Sequence, residues 1–360
     1  MNYYIHVPFC AAKCGYCAFY SEAGASAAQM DEYLNMLSTQ LAAAPSALLT
    51  TLYVGGGTPT LFDSDRLKRF IGIVFDRLQF ASDAEISIEA NPETLDENKI
   101  SLLRQHFTRI SLGVQSFDPG SRKRIGRCCD QTKLLNVINT VKDAAFPHWN
   151  CDLIYALPEQ TREMWENDLH LAARTGADHI SCYSLTPEEN SKLGAELIED
   201  DDRAAGFYHI AQDVLSSYGI RRYEISNYAR NGAECRHNQS VWRGGLLRGF
   251  GPAAAGFDGT DRMIQVESLA QWLAGAPPEI DRISRDARLN EIFAVNLRTT
   301  AGWNRAMWEN VPHADRWECR LEIAEGLQKI FPHGLSIDKE SIKLTEEGLL
   351  FWNSIAQELF

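Results

Sequence analysis

The stretch FCAAKCGYCAFY, residues 9–20, places cysteines at positions 10, 14 and 17 directly after a short apolar run, YYIHV, at 3–7. Gaps of three and then two residues let three thiolates from one loop turn toward a common centre. A structural zinc site takes four ligands, and the nearest fourth is His6, whose place on an alternating strand is better explained by core packing. A cluster of four irons normally takes four cysteines, so three leave one iron open to a substrate or cofactor. Spacing alone leaves a cluster, zinc and an ordinary group of thiols all standing, with the cluster matching a set of three best.

Five further runs of the same apolar character follow: TLYV at 51–54, EISIE at 85–89, RISLGV at 109–114, CDLIYAL at 151–157 and HISCYSL at 179–185. Each reads as a buried strand. Between them lie helical patterns, such as Tyr33, Leu34, Leu37, Leu41 and then Leu67, Phe70, Ile71, Val74, Leu78. Strand and helix in repeated alternation imply a parallel sheet wrapped by helices. This α/β pattern suits an open doubly wound sheet or a partial (β/α)6 barrel. The barrel is favoured because the unusual residues gather at strand ends: the three cysteines after the first, GGGTP (55–59) after the second, Glu89 and ANPE at the third, Gln115 at the fourth, with Asp152 in the fifth. In such a barrel the carboxyl ends of the strands share one face, and that face carries the chemistry.

After about residue 230 the alternation stops. RHNQSVWRGGLLRGFGPAAAGF (236–257), rich in Gly, Arg and aromatics, reads as an irregular connection. We expect a barrel domain over 1–230, this connection over 231–285, and a smaller, mostly helical domain over 286–360. In the last of these, Thr345 is a plausible cap, and Leu349, Trp352, Ile355 and Leu359 form one apolar stripe.

The 360-residue chain is 45% hydrophobic and 23% charged, an ordinary globular composition, and its formal net charge is -13. That charge argues against broad binding to nucleic acid or an anionic membrane surface. No run approaches a spanning helix and MNYYIHVPFC lacks the features of a signal peptide, so a cytoplasmic protein is expected, with peripheral membrane association left open. Nine cysteines in a reducing compartment are mostly free thiols. Cys128, Cys129, Cys151, Cys182 and Cys319 have no ligand spacing and read as small core or surface residues.

YIHVPFCAAKCGYCAF resembles the cluster loop of the radical S-adenosylmethionine (SAM) superfamily. GGGTPT, IEANPE, RISLGVQSF, CDLIYALP and RYEISNYARNGAECRHN follow in the order typical of its coproporphyrinogen oxidase-like branch, HemN and HemW. The resemblance implies a partial barrel, a [4Fe-4S] cluster held by Cys10, Cys14 and Cys17, and SAM at the open iron. Carried over position by position, it implies that Gly56, Gly57 and Thr58 bring backbone against the methionine amino group. Glu89 and Asp152 would take the ribose hydroxyls or other polar groups of SAM, Gln115 would add hydrogen bonds, and Arg127 would grip the carboxylate. Tyr4 and Tyr16 would lie against the cluster or the adenine. Arg122, Lys123 and Arg124, beside Arg127, read as a solvated helix face.

The branch holds two kinds of protein. HemN-type enzymes decarboxylate coproporphyrinogen III through an adenosyl radical, whereas HemW-type proteins bind haem and pass it to clients. The dehydrogenases carry another cysteine two positions after the third, and Phe19 stands there in this chain. HNQSVW (237–242) resembles the haem-associated motif of the HemW type, with His237 as the ligand, although Val241 stands where tyrosine is usual and Ala255 where histidine is common. Ala18 and Ala156 replace the more usual Asp and Gly, the latter a change expected to affect only packing. The expectation is a haem chaperone of the HemW type, with SAM, haem or another tetrapyrrole, a client protein and an electron donor as partners; the alternatives are the dehydrogenase and another radical reaction on a tetrapyrrole.

Overall fold

A computed structural model describes residues 1–186, 193 and 200–360 of the chain. All six expected strands form: β1 Asn2–Val7, β2 Leu48–Gly56, β3 Gln79–Ala90, β4 Arg109–Gln115, β5 His148–Tyr155 and β6 His179–Ser184. They pair in parallel in chain order. Parallel neighbours need crossovers, and the helices between them supply these, each covering the sheet with its apolar stripe. Tyr33, Leu34, Leu37 and Leu41 are the buried face of Ala27–Ala43, and Leu67, Phe70, Ile71 and Val74 that of Ser64–Phe75. Starts are set by side-chain caps at Ser26, Asp63, Asp96, Asp130 and Thr161, each accepting from a backbone N–H three residues on.

Beyond residue 220 the sheet continues, first at the end of the expected barrel domain and then through 231–285, where an irregular connection was expected. β7 Arg221–Arg222 and β8 Asn227–Ala229 extend it past β6, while β9 Leu247–Phe250, β10 Ala255–Phe257, β11 Asp261–Ile264 and β12 Glu279–Arg282 extend it past β1. The resulting order is β12-β11-β10-β9-β1-β2-β3-β4-β5-β6-β8-β7. These added strands are only two to four residues long, too short and too rich in Gly and Arg to show a period of two. β9 pairs parallel to β1, so the parallel run has seven members.

The C-terminal segment is helical, as expected, and carries in addition a small sheet of Trp303–Asn304, Leu335–Ile337 and Ser341–Leu344. Thr345 does cap, accepting from the Gly348 N–H, but the helix breaks at Phe351 into Glu346–Leu350 and Trp352–Gln357. Leu349, Ile355 and Leu359 still reach the core. Among the described residues no helix is long and apolar enough to cross a membrane.

Candidate functional site

The carboxyl ends of β1–β6 and the loops that follow them enclose one cavity of about 730 Å³, lined by Cys10, Cys14, Cys17, Tyr16, Gly56, Gly57, Thr58, Glu89, Gln115, Arg127 and Asp152 among others. This size lies within the roughly 300–1,000 Å³ of small-molecule sites. Eleven of the thirteen residues singled out in the sequence thus line one cavity; Tyr4 and His237 do not.

The GGG stretch fastens the cysteine loop to the sheet. Gly57 N–H donates to the Val7 carbonyl at 2.8 Å and Thr58 N–H to the Phe9 carbonyl at 2.7 Å. A Cβ at Gly57 would sit 2.6 Å from the Phe9 oxygen, and one at Gly56, where φ is 106°, would meet the His6 ring at 2.7 Å. These glycines are therefore required by packing against the protein itself, in addition to lining the cavity. Gly55 is required in the same way, because a Cβ there would lie 2.8 Å from the Glu89 carboxylate. Thr58 Oγ1 stands 3.6 Å from the Cys10 sulfur and accepts from Asn91 Nδ2 at 2.8 Å.

His6 is committed elsewhere. Its Nδ1 meets the Tyr4 hydroxyl at 3.0 Å and its Nε2 the Tyr20 carbonyl at 2.9 Å. Both ring nitrogens are occupied, and burial lowers the pKa. The core reading of His6 holds, and Tyr4 serves it rather than facing the cavity.

Gln115 ends β4 with φ at 68°, just after a register shift in the pairing with β5. The turn is held by Asp168, which is fully buried and accepts from the Ser116 hydroxyl and the Phe117 N–H, both at 2.7 Å. The twist turns Gln115 inward. A Cβ at Gly113 would meet Asn91 Oδ1 at 2.9 Å, Gln115 Nε2 at 2.9 Å and Arg127 Nη2 at 3.1 Å. Glycine at 113 thus leaves the space in which three polar heads converge.

Arg127 reaches that space from a pinned loop. Arg122, read from sequence as part of a solvated face, is buried: its Nη1 donates to the Ser116 carbonyl at 2.9 Å, its Nη2 to Gln131 at 2.7 Å, and its own carbonyl accepts from Arg127 N–H at 2.9 Å. Lys123 and Arg124 are exposed as expected. Burial alone would lower the Arg127 pKa, but Tyr16, Cys14 and Glu93 around it more than reverse this, so it stays a cation.

The opposite wall is acidic. Glu89 accepts from the Tyr53 hydroxyl at 2.9 Å and the Gly56 N–H at 3.1 Å. Burial, followed by the charge of Asp152, pushes its pKa up to about 7. Asp152 accepts from the Ser111 hydroxyl at 2.8 Å and from Asn150 Nδ2 at 2.6 Å, and burial raises its pKa as well, against those hydrogen bonds. Two carboxyls that are costly to ionise are relieved by a cation, so this wall suits a sulfonium or ammonium, while Arg127 suits a carboxylate.

Burial raises the Cys14 thiol and the Arg127 charge lowers it; Cys17 is raised by burial. Among the described residues no three of His, Cys, Asp and Glu converge on a single ion. The donor set is soft, partly buried and spread along one loop, which matches a multi-iron cluster better than zinc. Two buried polar atoms on the cavity wall, Glu93 Oε2 and Arg109 Nη1, have no hydrogen-bond partner among the described residues, as expected of a lining built around a ligand.

Several contributors were not singled out in the sequence. Tyr53, Asn91, Glu93, Ser111 and Asn150 all lie on inward positions of strands or in the loop after β3; the period of two on β2, β4 and β5 was the signal that could have found Tyr53, Ser111 and Asn150.

His237 lies beneath this cavity. It is 5% exposed, on the helix Arg236–Trp242 that closes the amino end of the barrel. Its Nδ1 meets Thr51 Oγ1 at 2.8 Å, its ring lies over Tyr53, and its N–H donates to Glu85 at 2.9 Å. Burial lowers its pKa to about 4, so it is a neutral core histidine. The haem-facing role expected from HNQSVW is not the one this packing gives it.

A family model described as Radical SAM superfamily matches residues 4–172. Along 99% of its length the chain is 33% identical to a protein of Mycobacterium tuberculosis named "Heme chaperone HemW", covering 94% of that protein. It is 34% identical to one of the same name from Synechocystis, covering 99% of this chain and 95% of the relative. The solved structure of coproporphyrinogen III oxidase (HemN) from Escherichia coli superposes over 99% of this chain and 89% of its own with a TM-score of 0.85, at 21% identity, which establishes the shared fold. Radical SAM membership implies a [4Fe-4S] cluster and SAM. By the cysteine loop, the order of the strand-end motifs and this similarity along its full length, the chain belongs to the radical SAM superfamily and, within it, to the HemW family.

Proposed function

We propose that this protein is a haem chaperone: it holds a [4Fe-4S] cluster and SAM at the mouth of its barrel, binds haem, and hands it to a client protein. The observation that carries the reading is the similarity along almost the whole chain to curated proteins named as haem chaperones. Phe19 supports it, standing in the cluster loop where the dehydrogenases carry a further cysteine. It is 69% exposed, lines the cavity, and offers a planar apolar surface at the mouth.

In this reading Cys10, Cys14 and Cys17 hold three irons, and the bound cluster supplies an open iron and one-electron chemistry. The protein does the rest. Arg127 binds the carboxylate of SAM with its planar fork of donors, Glu89 and Asp152 face the cationic and ribose groups, and Gln115 and Asn91 add hydrogen bonds where Gly113 leaves room. With His237 sealed under Tyr53, haem would be taken at a surface other than that imidazole.

The test is anaerobic reconstitution followed by haem titration and an assay with coproporphyrinogen III, SAM and reductant. Haem binding without decarboxylated product supports a carrier. Multiple turnovers to decarboxylated porphyrinogen would replace it with the dehydrogenase reading.

A further inference from the structure

The cluster loop is not the only source of sulfur at the mouth of the cavity. Cys128 lines the same cavity as Cys10, Cys14 and Cys17. It is an exposed free thiol whose single hydrogen-bond contact among the described residues is the Gly126 carbonyl at 3.9 Å. The segment that carries it is fastened to the cysteine loop: Gly15 N–H donates to the Ile125 carbonyl at 3.1 Å, and Arg127 Nη2 donates to the Tyr16 hydroxyl at 3.0 Å. Between these ties Gly126, with φ at 82°, packs against the cysteine loop, where a Cβ would be in ordinary contact at 3.5 Å from Gly15 N and 3.7 Å from the Cys14 Cα. Cys128 follows two residues later, on the rim. Cys235, the other thiol on the cavity wall, is buried at the floor and donates to Glu85 at 3.5 Å, while Cys129 is buried and does not line the cavity.

We propose that Cys128 is an exchangeable fourth thiolate, ligating the iron that Cys10, Cys14 and Cys17 leave open and yielding it when SAM binds. The proposal rests on the cluster reading above. Four thiolates complete a cluster of this kind, and the fourth here comes from the segment whose neighbouring residue, Arg127, faces the incoming carboxylate. The step is a ligand exchange without oxidation or reduction. Cys128 loses its proton to solvent as its sulfur bonds iron; when the amino and carboxylate groups of SAM take the iron, that bond breaks and the thiolate recovers a proton. Two consequences follow from competition for one iron: the resting cluster is protected against losing it, and SAM binds against the thiolate.

The experiment uses full-length protein reconstituted anaerobically with iron-57, as wild type, Cys128→Ala and Cys128→Ser, read by Mössbauer spectroscopy before and after SAM, with SAM affinity measured by calorimetry. Without SAM, wild type is expected to show all irons in sulfur coordination, whereas each variant shows one iron already distinct. SAM should make the spectra alike, and Cys128→Ala should bind SAM several-fold more tightly than wild type. A distinct iron in wild type before SAM is added, or equal SAM affinity in wild type and Cys128→Ala, overturns the proposal. Wild-type protein with no four-iron cluster by iron and sulfide analysis overturns the cluster reading and the proposal together, an outcome separate from failure at Cys128 alone.

Discussion

The guanidinium of Arg127 donates from Nη2 to the Tyr16 hydroxyl at 3.0 Å, so the arginine we propose for the SAM carboxylate is tied to the loop that carries Cys14 and Cys17. One charged group thereby links the two halves of the site. Arg127→Ala should weaken SAM binding by about 1.5–3 kcal/mol, the range for hydrogen bonds to charged groups, while leaving the cluster in place. Tyr16→Phe removes only the positioning contact and should cost about 0.5–1.5 kcal/mol. Calorimetry on reconstituted protein checks both, and equal affinities would take Arg127 out of the site.

Replacing any one of Cys10, Cys14 or Cys17 by alanine should abolish the cluster, since two thiolates from one loop cannot hold it. Iron and sulfide analysis with the visible charge-transfer band reads the outcome. Stoichiometric zinc in the native protein would show that the thiols serve another metal.

Glu89 supplies a pH dependence whose sign can be worked out. Its folded pKa, raised to about 7, means that the native protein binds more protons than the unfolded chain between the ordinary carboxylate range and neutrality. Stability from this group is therefore intact at pH 4 and lost as pH rises through 7, by on the order of 3 kcal/mol. Without cofactors, Glu89→Gln should melt above wild type at pH 8, and the gap should close by pH 5. SAM affinity should move the other way, rising between pH 6 and 8 as the carboxylate ionises to face a cation, and Glu89→Gln should flatten that rise.

Ala156 has a φ of 59°, in the left-handed region that costs an L residue about 1–2 kcal/mol. The change from the usual glycine therefore acts on the backbone as well as on packing. Ala156→Gly should raise stability by up to about 1 kcal/mol, the relief of strain less the added freedom of the unfolded chain, as read by denaturant melts.

The six barrel strands were legible because each is a run of apolar residues set between helical periods, and because motifs at their ends point to one face. β9–β12 were not legible: strands of three or four residues in a stretch of Gly and Arg carry no period, and pairing of β9 with β1 and then of each strand with the next decides them. The same contrast holds at the site. Arg127 and Glu89 could be found from motifs, whereas the burial of Arg122 depends on Ser116 and Gln131, which meet it only in the fold. His237 shows the limit most plainly, since a motif names a residue without saying which side of a barrel it closes.

For His237 the packing leads to a definite outcome. Its ring lies 5.2 Å from that of Tyr53, whose hydroxyl donates to Glu89, and its Nδ1 is engaged by Thr51. His237→Ala should lower stability by about 0.5–3 kcal/mol, the ordinary range for a buried side chain, and loosen Tyr53 enough to weaken SAM binding through Glu89. Haem absorption of the folded variant should match wild type, because the imidazole is buried at the floor of the barrel with Nδ1 engaged by Thr51 and its ring packed against Tyr53. A shifted haem band with unchanged melting would mean that the helix Arg236–Trp242 opens to present His237, and that the floor of this barrel is itself part of the haem site.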